Sequence, residues 1–192
     1  LNTLTLNEEL QMTGGTLSLN SDSTFNADFT LSGGTFGVNT GATLTQTNNS
    51  TFTLSGGSLS GIGSLLIANN ANILINSNNI IDIDLTNQGS MTNTGTINIE
   101  DGKTFTLNGA LNNSGIITFD GGFIWSAGAY SGSGTLDATN SSSNTISGDL
   151  ALSSGTVKLR SASFSVDSST VFNLNGGLLS YAGGGTTMLT AP

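Results

Sequence analysis

A glycine-anchored pattern recurs along this chain at nearly constant spacing and restricts the folds it can adopt. Each unit has a glycine, a small or branched residue and an apolar residue, as in Gly95 to Ile99 and again in Gly115 to Phe119. The anchors are Gly15, Gly34, Gly57, Gly95, Gly115, Gly134, Gly155 and Gly177. The differences between successive anchor numbers are 19, 23, 38, 20, 19, 21 and 22, and 38 is twice 19. One anchor is therefore missing, and we expect an asparagine between Asn76 and Asn79 to take the left-handed conformation there.

Within each unit, apolar and polar side chains alternate. Alternation over about four to six residues is typical of a strand with one buried face. Clusters of Asn, Asp, Ser and Gly separate these segments and favour turns. Examples of the alternating apolar pairs are Leu17 with Leu19, Ile73 with Ile75, Phe105 with Leu107, and Val157 with Leu159.

Three short strands in each unit of about 20 residues predict a parallel β-solenoid, because sandwiches and barrels do not require one fixed coil length. The sequence thus predicts an all-β, single-stranded parallel β-helix of about nine coils. It forms one domain over residues 1–192, and we expect this domain to be a segment of a longer repeat array or a filament subunit.

In a solenoid each residue stacks on its counterpart one coil away, so columns of side chains can be predicted. Asp137 falls beside Lys158 on the outer surface, where opposite charges on neighbouring strands are mildly stabilising. Two inward columns are Ile97, Ile117, Leu136, Val157, Leu179 and Ile99, Phe119, Ala138, Leu159, Tyr181; the outward column between them is Asn98, Thr118, Asp137, Lys158, Ser180.

The composition argues against several classes of partner. Charged residues make up 8% of the chain, the net charge is −9, and the bases are Lys103, Lys158 and Arg160. Nucleic-acid binding needs clustered bases, so we expect none. No apolar run reaches the roughly 20 residues that span a bilayer, so we expect no membrane insertion. The absence of cysteine, together with an Asn-, Ser- and Thr-rich exterior, favours an extracellular location on a bacterial surface.

The repeats resemble those of bacterial surface β-helices of the filamentous-haemagglutinin-like and autotransporter-passenger class. The resemblance rests on units such as Gly109 to Thr118 and Tyr130 to Leu136 and extends loosely over the whole chain. It implies a right-handed helix, export to the cell exterior, and work as a stalk, adhesin or filament.

The chemistry available to the chain is narrow. It has no His or Cys, which excludes a catalytic triad, a thiol nucleophile and the usual zinc sites. Paired carboxylates remain for glycosidase chemistry or calcium binding, but the regular Gly-Gly-x-Gly-x-Asp calcium repeat is missing. We interpret the acids as surface and turn residues and predict no catalysis, no metal and no cofactor. The acids considered are Glu8 with Glu9, Asp82 with Asp84, and Glu100 with Asp101 and Asp120.

Aromatic residues suggest one possible ligand contact. Trp125 and Tyr130 flank the Gly- and Ala-rich segment Ser126 to Ala129, and exposed rings could stack on sugars. Alternation from Ile117, however, directs Trp125 inward and favours core packing. The ligand contact depends on Tyr130 being exposed.

Threonine pairs suggest an ice-binding face as another alternative. Thr43 with Thr45 and Thr104 with Thr106 are spaced as outward neighbours on a strand. Ice binding needs such pairs stacked in coil after coil. Projection at the coil length places Thr104 on Phe123 or Ile124, which predicts that no threonine column runs the length of the solenoid.

Together these observations predict a non-catalytic, structural or adhesive solenoid that forms a stalk or filament. We expect it to elongate by end-to-end strand stacking on other copies or adjacent segments. The alternatives are a carbohydrate-interacting β-helix, either a phage-type spike or a lectin-like adhesin that binds surface glycans, and an ice-binding solenoid.

Overall fold

The computed structural model describes residues 1–47, 49–160, 164–166, 171–174 and 176–182. Within these ranges the chain forms 23 β-strands and no helix. All the strand pairs in these ranges are parallel. The predicted parallel β-solenoid is confirmed, and the described ranges contain no helix that could cross a membrane.

The strands stack into three ladders that run along the solenoid axis. Over the described part of the chain each ladder contains nine strands, which about eight turns of chain connect. The first ladder consists of β1 (Thr5–Leu6), β3 (Ser23–Phe25), β5 (Thr43–Gln46), β7 (Ser58–Ile67), β9 (Asn79–Asn87), β12 (Thr104–Leu107), β15 (Gly122–Trp125), β18 (Ser143–Ile146) and β21 (Phe164–Val166).

The second ladder starts with two long strands, β2 (Leu10–Leu19) and β4 (Phe29–Val38), which continue round a corner into the third ladder. It consists of β2, β4, β6 (Thr51–Leu54), β8 (Asn72–Ile75), β10 (Ser90–Asn93), β13 (Ala110–Asn113), β16 (Ala129–Ser131), β19 (Leu150–Leu152) and β22 (Phe172–Leu174).

The third ladder shares β2 and β4 with the second and β7 and β9 with the first. Its register follows the columns predicted from the sequence: Ile97 pairs with Ile117, Ile117 with Leu136, and Val157 with Leu179. The remaining members are β11 (Thr96–Ile99), β14 (Ile116–Phe119), β17 (Thr135–Ala138), β20 (Thr156–Arg160) and β23 (Leu178–Ala182).

One continuous core fills the space between the ladders. Alternate side chains point inward, so leucine, isoleucine, valine and phenylalanine stack on the coils above and below. Burial of each such side chain stabilises the fold by about 1.5–3 kcal/mol. Ring centroids lie 5.0–6.3 Å apart among Phe25, Phe29, Phe36 and Phe52, and 4.9–6.2 Å apart among Phe105, Phe119 and Phe123.

Some anchor glycines are required for space rather than for backbone conformation. A Cβ added at Gly95, Gly115 or Gly134 would collide with a carbonyl oxygen of the preceding coil, at Ser77, Gly95 and Gly115 respectively. The position of the missing anchor is thus occupied by Ser77. The expectation of a left-handed asparagine between Asn76 and Asn79 is wrong, because Asn49 is the non-glycine residue with positive φ within the described ranges.

Candidate functional site

The two aromatic residues predicted as a ligand contact lie in the core. The side chain of Trp125 is 0% exposed and that of Tyr130 is 1% exposed. Trp125 stacks between Leu107 and Ile146 in the first ladder, and its ring lies 6.4 Å from that of Tyr130. Neither ring can reach a sugar in solution. The ligand-contact prediction for these residues is therefore wrong in this structure, and the alternative of core packing holds.

Tyr130 ends a buried chain of hydrogen bonds that crosses three coils. The Nδ2 atom of Asn93 donates to Oδ1 of Asn113 at 2.8 Å, and Nδ2 of Asn113 donates to the Tyr130 hydroxyl at 3.0 Å. The hydroxyl in turn donates to the Gly134 carbonyl oxygen at 2.9 Å. Burial raises the pKa of Tyr130, and the hydrogen bond from Asn113 offsets part of that effect. We name this set the amide–tyrosine chain.

The amide–tyrosine chain is hidden in the sequence by the turn preference of asparagine, since Asn93 and Asn113 end their strands. Asn93 and Asn113 are register partners in successive coils of the second ladder. Each lies two positions after an inward apolar residue, Met91 or Leu111, and that alternation directs both asparagines inward. A buried amide is tolerated only when it is hydrogen-bonded, and here each stacked coil supplies the partner for the next.

Aspartates at the corners bond to the backbone of the next coil. The first N–H of a strand often has no carbonyl partner at a corner, and a side-chain oxygen one coil earlier accepts it. Asp84, one of the predicted surface acids, accepts from the Thr104 amide at 2.8 Å. The other corner acceptors are Asp22 for Thr43 and Asp28 for Thr51, both at 2.8 Å, Asn78 for Thr96 at 3.1 Å, and Asp149 for Val171 at 2.9 Å.

Lys103 connects three successive coils. Its Nζ atom donates to the Gly61 carbonyl oxygen at 2.5 Å and lies 3.4 Å from a carboxylate oxygen of Asp82. The Lys103 side chain is 15% exposed, whereas that of Asp82 is 49% exposed. Gly61 lies in the register irregularity between Ser60 and Ser64 of β7, so its carbonyl is displaced from the regular ladder. The lysine satisfies that carbonyl across two coils.

The remaining acids are at the surface, as interpreted from the sequence. Glu8 and Glu9 are exposed between β1 and β2. The backbone carbonyl oxygen of Glu100 closes a turn by accepting from the Lys103 amide at 3.1 Å, and the carboxylate of Asp120 accepts from Nδ2 of Asn98 at 2.9 Å. In the part of the chain that the structure describes, no three acidic side chains are close enough together to hold a metal ion.

Threonines share one column of the first ladder, but Leu66 and Ile124 interrupt it, so the prediction that no threonine column runs the length of the solenoid is confirmed for the described residues. The projection of Thr104 onto Phe123 or Ile124 is wrong. Thr104 pairs with Gly122, and Thr106 pairs with Ile124, because this coil is shorter than the average unit. The column beside it is mixed and includes Asp84 and Gly122, so threonine pairs do not stack coil after coil. The column itself consists of Thr5, Thr24, Thr45, Leu66, Thr86, Thr106, Ile124 and Thr145.

An open groove runs along the axis where the second ladder turns into the third. It has a volume of about 410 Å³. Its floor is the column of anchor glycines, which pack directly on carbonyl oxygens of the preceding coil. Hydroxyl side chains form most of its rims, and Ile116 is 46% exposed there. The groove is lined by Gly95, Gly115 and Gly134, by Thr94, Ser114 and Ser133 on one rim, by Thr96, Ile116 and Thr135 on the other, and by Asn78.

The fold and these surfaces define the class: the chain is an all-β parallel β-solenoid built from a repeat of nearly constant length. Comparisons with protein-family models, with curated proteins and with solved structures each find no match.

Proposed function

We propose that this chain is a non-catalytic rod segment of an extracellular bacterial stalk, adhesin or filament. The observation that carries the proposal is the core of the described residues, in which mostly apolar columns continue from coil to coil in all three ladders. Backbone hydrogen bonds lie along the axis, and stacked side chains resist local opening. The exterior carries few charges, which suits a spacer that avoids non-specific association.

Elongation by strand stacking is supported by the way each coil of the described ranges rests on the next, through parallel strand edges and apolar side chains. Leu4, Leu6, Leu10 and Leu17 are only partly buried, whereas their counterparts in the following coils are covered on both sides. An apolar coil face with unpaired strand edges favours a parallel coil from another copy or an adjacent segment. Such a contact would extend the three ladders without any change of register.

A pair of adjacent substitutions tests this mode of association. Leu6 points toward the core and Thr5 points outward on the same strand. We expect the wild-type protein to form axial fibres at high concentration in electron micrographs, and Leu6→Lys to prevent them. The matched variant Thr5→Lys should still assemble. Circular dichroism of both variants checks that the solenoid remains folded.

Two results contradict the association. One is a strictly monomeric wild type at high concentration by light scattering. The other is equal loss of assembly in Thr5→Lys. Location is tested separately, with an antibody against the protein on intact cells that express the full gene. An exterior rod is recognised on the cell surface and the signal is lost after protease digestion of the cells, whereas an internal one is not recognised.

The axial groove supports a second candidate function, binding of an extended surface glycan. Hydroxyl-lined rims over a glycine floor offer hydrogen-bond donors and acceptors along several coils. A glycan array with purified protein tests this candidate. Ser133→Arg would fill the groove, and Ser90→Arg, exposed on the second ladder, is the control. Binding that is lost only in Ser133→Arg supports the groove; no binding, or equal loss in both variants, rejects it.

A further inference from the structure

Three Asn-Gly or Asp-Gly dipeptides in the described ranges have different local structures. At such dipeptides the glycine amide nitrogen can attack the preceding side-chain carbonyl carbon, because glycine offers no Cβ to hinder the approach. The dipeptides are Asp101-Gly102, Asn108-Gly109 and Asp120-Gly121; the further Asn175-Gly176 has its asparagine outside the described residues.

Two of these sites are locked into the solenoid. The Gly109 amide donates to the Asn87 carbonyl at 2.9 Å, and the Gly121 amide donates to the Ile99 carbonyl at 3.2 Å. Both glycines pack so closely on the preceding coil that a Cβ would collide with a carbonyl oxygen. Attack at either site therefore requires the coil to open first.

Asp101-Gly102 differs from these two sites in its packing and in the hydrogen bond of its glycine amide. Both residues are exposed at the corner between β11 and β12, and a Cβ at Gly102 would meet open space. The Gly102 amide donates to Oδ1 of Asp101 at 2.9 Å, so the nitrogen already lies beside the carboxyl group that it would attack. Proximity of this kind lowers the barrier of an intramolecular reaction.

We propose that Asp101 is a site of spontaneous isomerisation to isoaspartate, a covalent modification that the fold directs to this corner. The Gly102 nitrogen bonds to Cγ of the protonated Asp101 carboxyl group. The nitrogen proton and the carboxyl hydroxyl leave as one water molecule, and a five-membered succinimide results. Water then adds back: opening at the side-chain carbonyl restores aspartate, and opening at the main-chain carbonyl gives isoaspartate, with no oxidant or reductant required.

The product lengthens the main chain by one carbon just before Gly102. The turn bond from the Lys103 amide to the Glu100 carbonyl and the contact of Lys103 with Gly61 both depend on the geometry of this corner. Isomerisation should therefore loosen the Lys103 contact while it leaves the stacked strands in place.

Ageing of the intact protein at neutral pH and raised temperature tests the proposal. A carboxyl methyltransferase specific for isoaspartate labels the product, and peptide mapping assigns the label. We expect label on the peptide that contains Asp101 and little on the one that contains Asp120. Equal labelling of the two sites overturns the proposal.

The Asp101→Asn variant gives a sharper test, because it places the same Asn-Gly dipeptide at the exposed corner and at Asn108 in one molecule. Deamidation at position 101 should exceed that at Asn108 by at least about tenfold, since Asn108 reacts only after a hydrogen-bonded, packed coil opens. In denaturant the two rates should become similar. Circular dichroism checks that the variant is folded. Faster deamidation at Asn108 than at position 101 in the folded variant refutes the proposal, and so does a difference between the two rates that persists in denaturant.

Discussion

Replacement of Lys103 with methionine should weaken the middle of the solenoid. Methionine keeps most of the apolar stem but removes the ammonium group that contacts Gly61 and Asp82. A hydrogen bond from a charged donor contributes about 1.5–3 kcal/mol. The pair with the half-exposed Asp82 adds less than about 1 kcal/mol, because water screens it. Allowing for the desolvation of the ammonium group, we expect a net loss of about 2 kcal/mol.

The matched control is Lys158→Met. Lys158 pairs with Asp137 at 2.9 Å, but its side chain is 41% exposed and it contacts no displaced carbonyl among the described residues. We expect that variant to lose less than about 1 kcal/mol, and salt should screen most of the loss. Lys103→Met should keep its defect at high salt because its contact is largely buried.

Hydrogen exchange is the appropriate assay, since a solenoid opens coil by coil and one global unfolding energy is not well defined. In Lys103→Met, amides near Gly61 should exchange faster, while those in β17 and β20 should not change. In Lys158→Met the order should reverse. The reasoning fails if both variants have equal effects or if exchange near Gly61 is unaffected by loss of the lysine.

Three further predictions concern groups with defined partners. Asn113→Ala should lower the local opening free energy of amides in β13 and β16, measured by hydrogen exchange, by about 2–4 kcal/mol, because it breaks the buried amide–tyrosine chain; Asn112→Ala, at the exposed neighbour, should lower it by less than about 0.5 kcal/mol. Burial raises the pKa of Asp137, but bonds from Thr139 and Lys158 outweigh it and hold the pKa below 3.8. The stabilisation from ionised Asp137 is therefore present above the pKa of an unfolded aspartate and is lost as the pH falls through the pKa of Asp137 in the folded protein. Asp137→Asn should remove this loss of stability in acid; an unchanged dependence of stability on pH would refute the lowered pKa. Tyr130 has a raised pKa in the folded protein, so only the unfolded state ionises readily, and stability should fall as pH rises above about 10. Tyr130→Phe should remove this fall in stability at alkaline pH; the same fall in the variant would contradict the raised pKa.

The third ladder shows how much register the sequence contains. The pairing of Asp137 with Lys158 was predicted from spacing and is confirmed by their 2.9 Å contact. The prediction succeeded because the glycine anchors lie at the corner that leads into this ladder. Each anchor sets the start of the following strand, and the strands after it are short and uniform.

The same projection failed on the first ladder. Successive coils there differ in corner length, so the step from Thr106 to its partner Ile124 is shorter than the step from Ile124 to Thr145. An insertion at one corner shifts the next ladder without disturbing the anchors of another. The glycine anchors therefore fix the register only of the ladder that follows them, and Thr104 was projected onto Phe123 or Ile124 instead of Gly122 for that reason.

The sequence pattern also predicted the burial of some site residues and not of others. Alternation correctly placed Trp125 inside, but it carried no information on Tyr130, which follows an irregular corner. The inward direction of Asn113 was also present in the alternation, yet the usual turn preference of asparagine outweighed it. Only the stacked coils reveal that a hydrogen-bonding partner makes that burial stable.

The sequence alone determined the parallel solenoid, its coil length and the composition of its core, because period-two alternation within a fixed repeat leaves few other folds. Tertiary structure decided which polar groups became structural. Lys103 reaches Gly61 two coils away, and Asp84 bonds to Thr104 in the next coil. Such contacts depend on the corner geometry of separate coils, which no local pattern encodes.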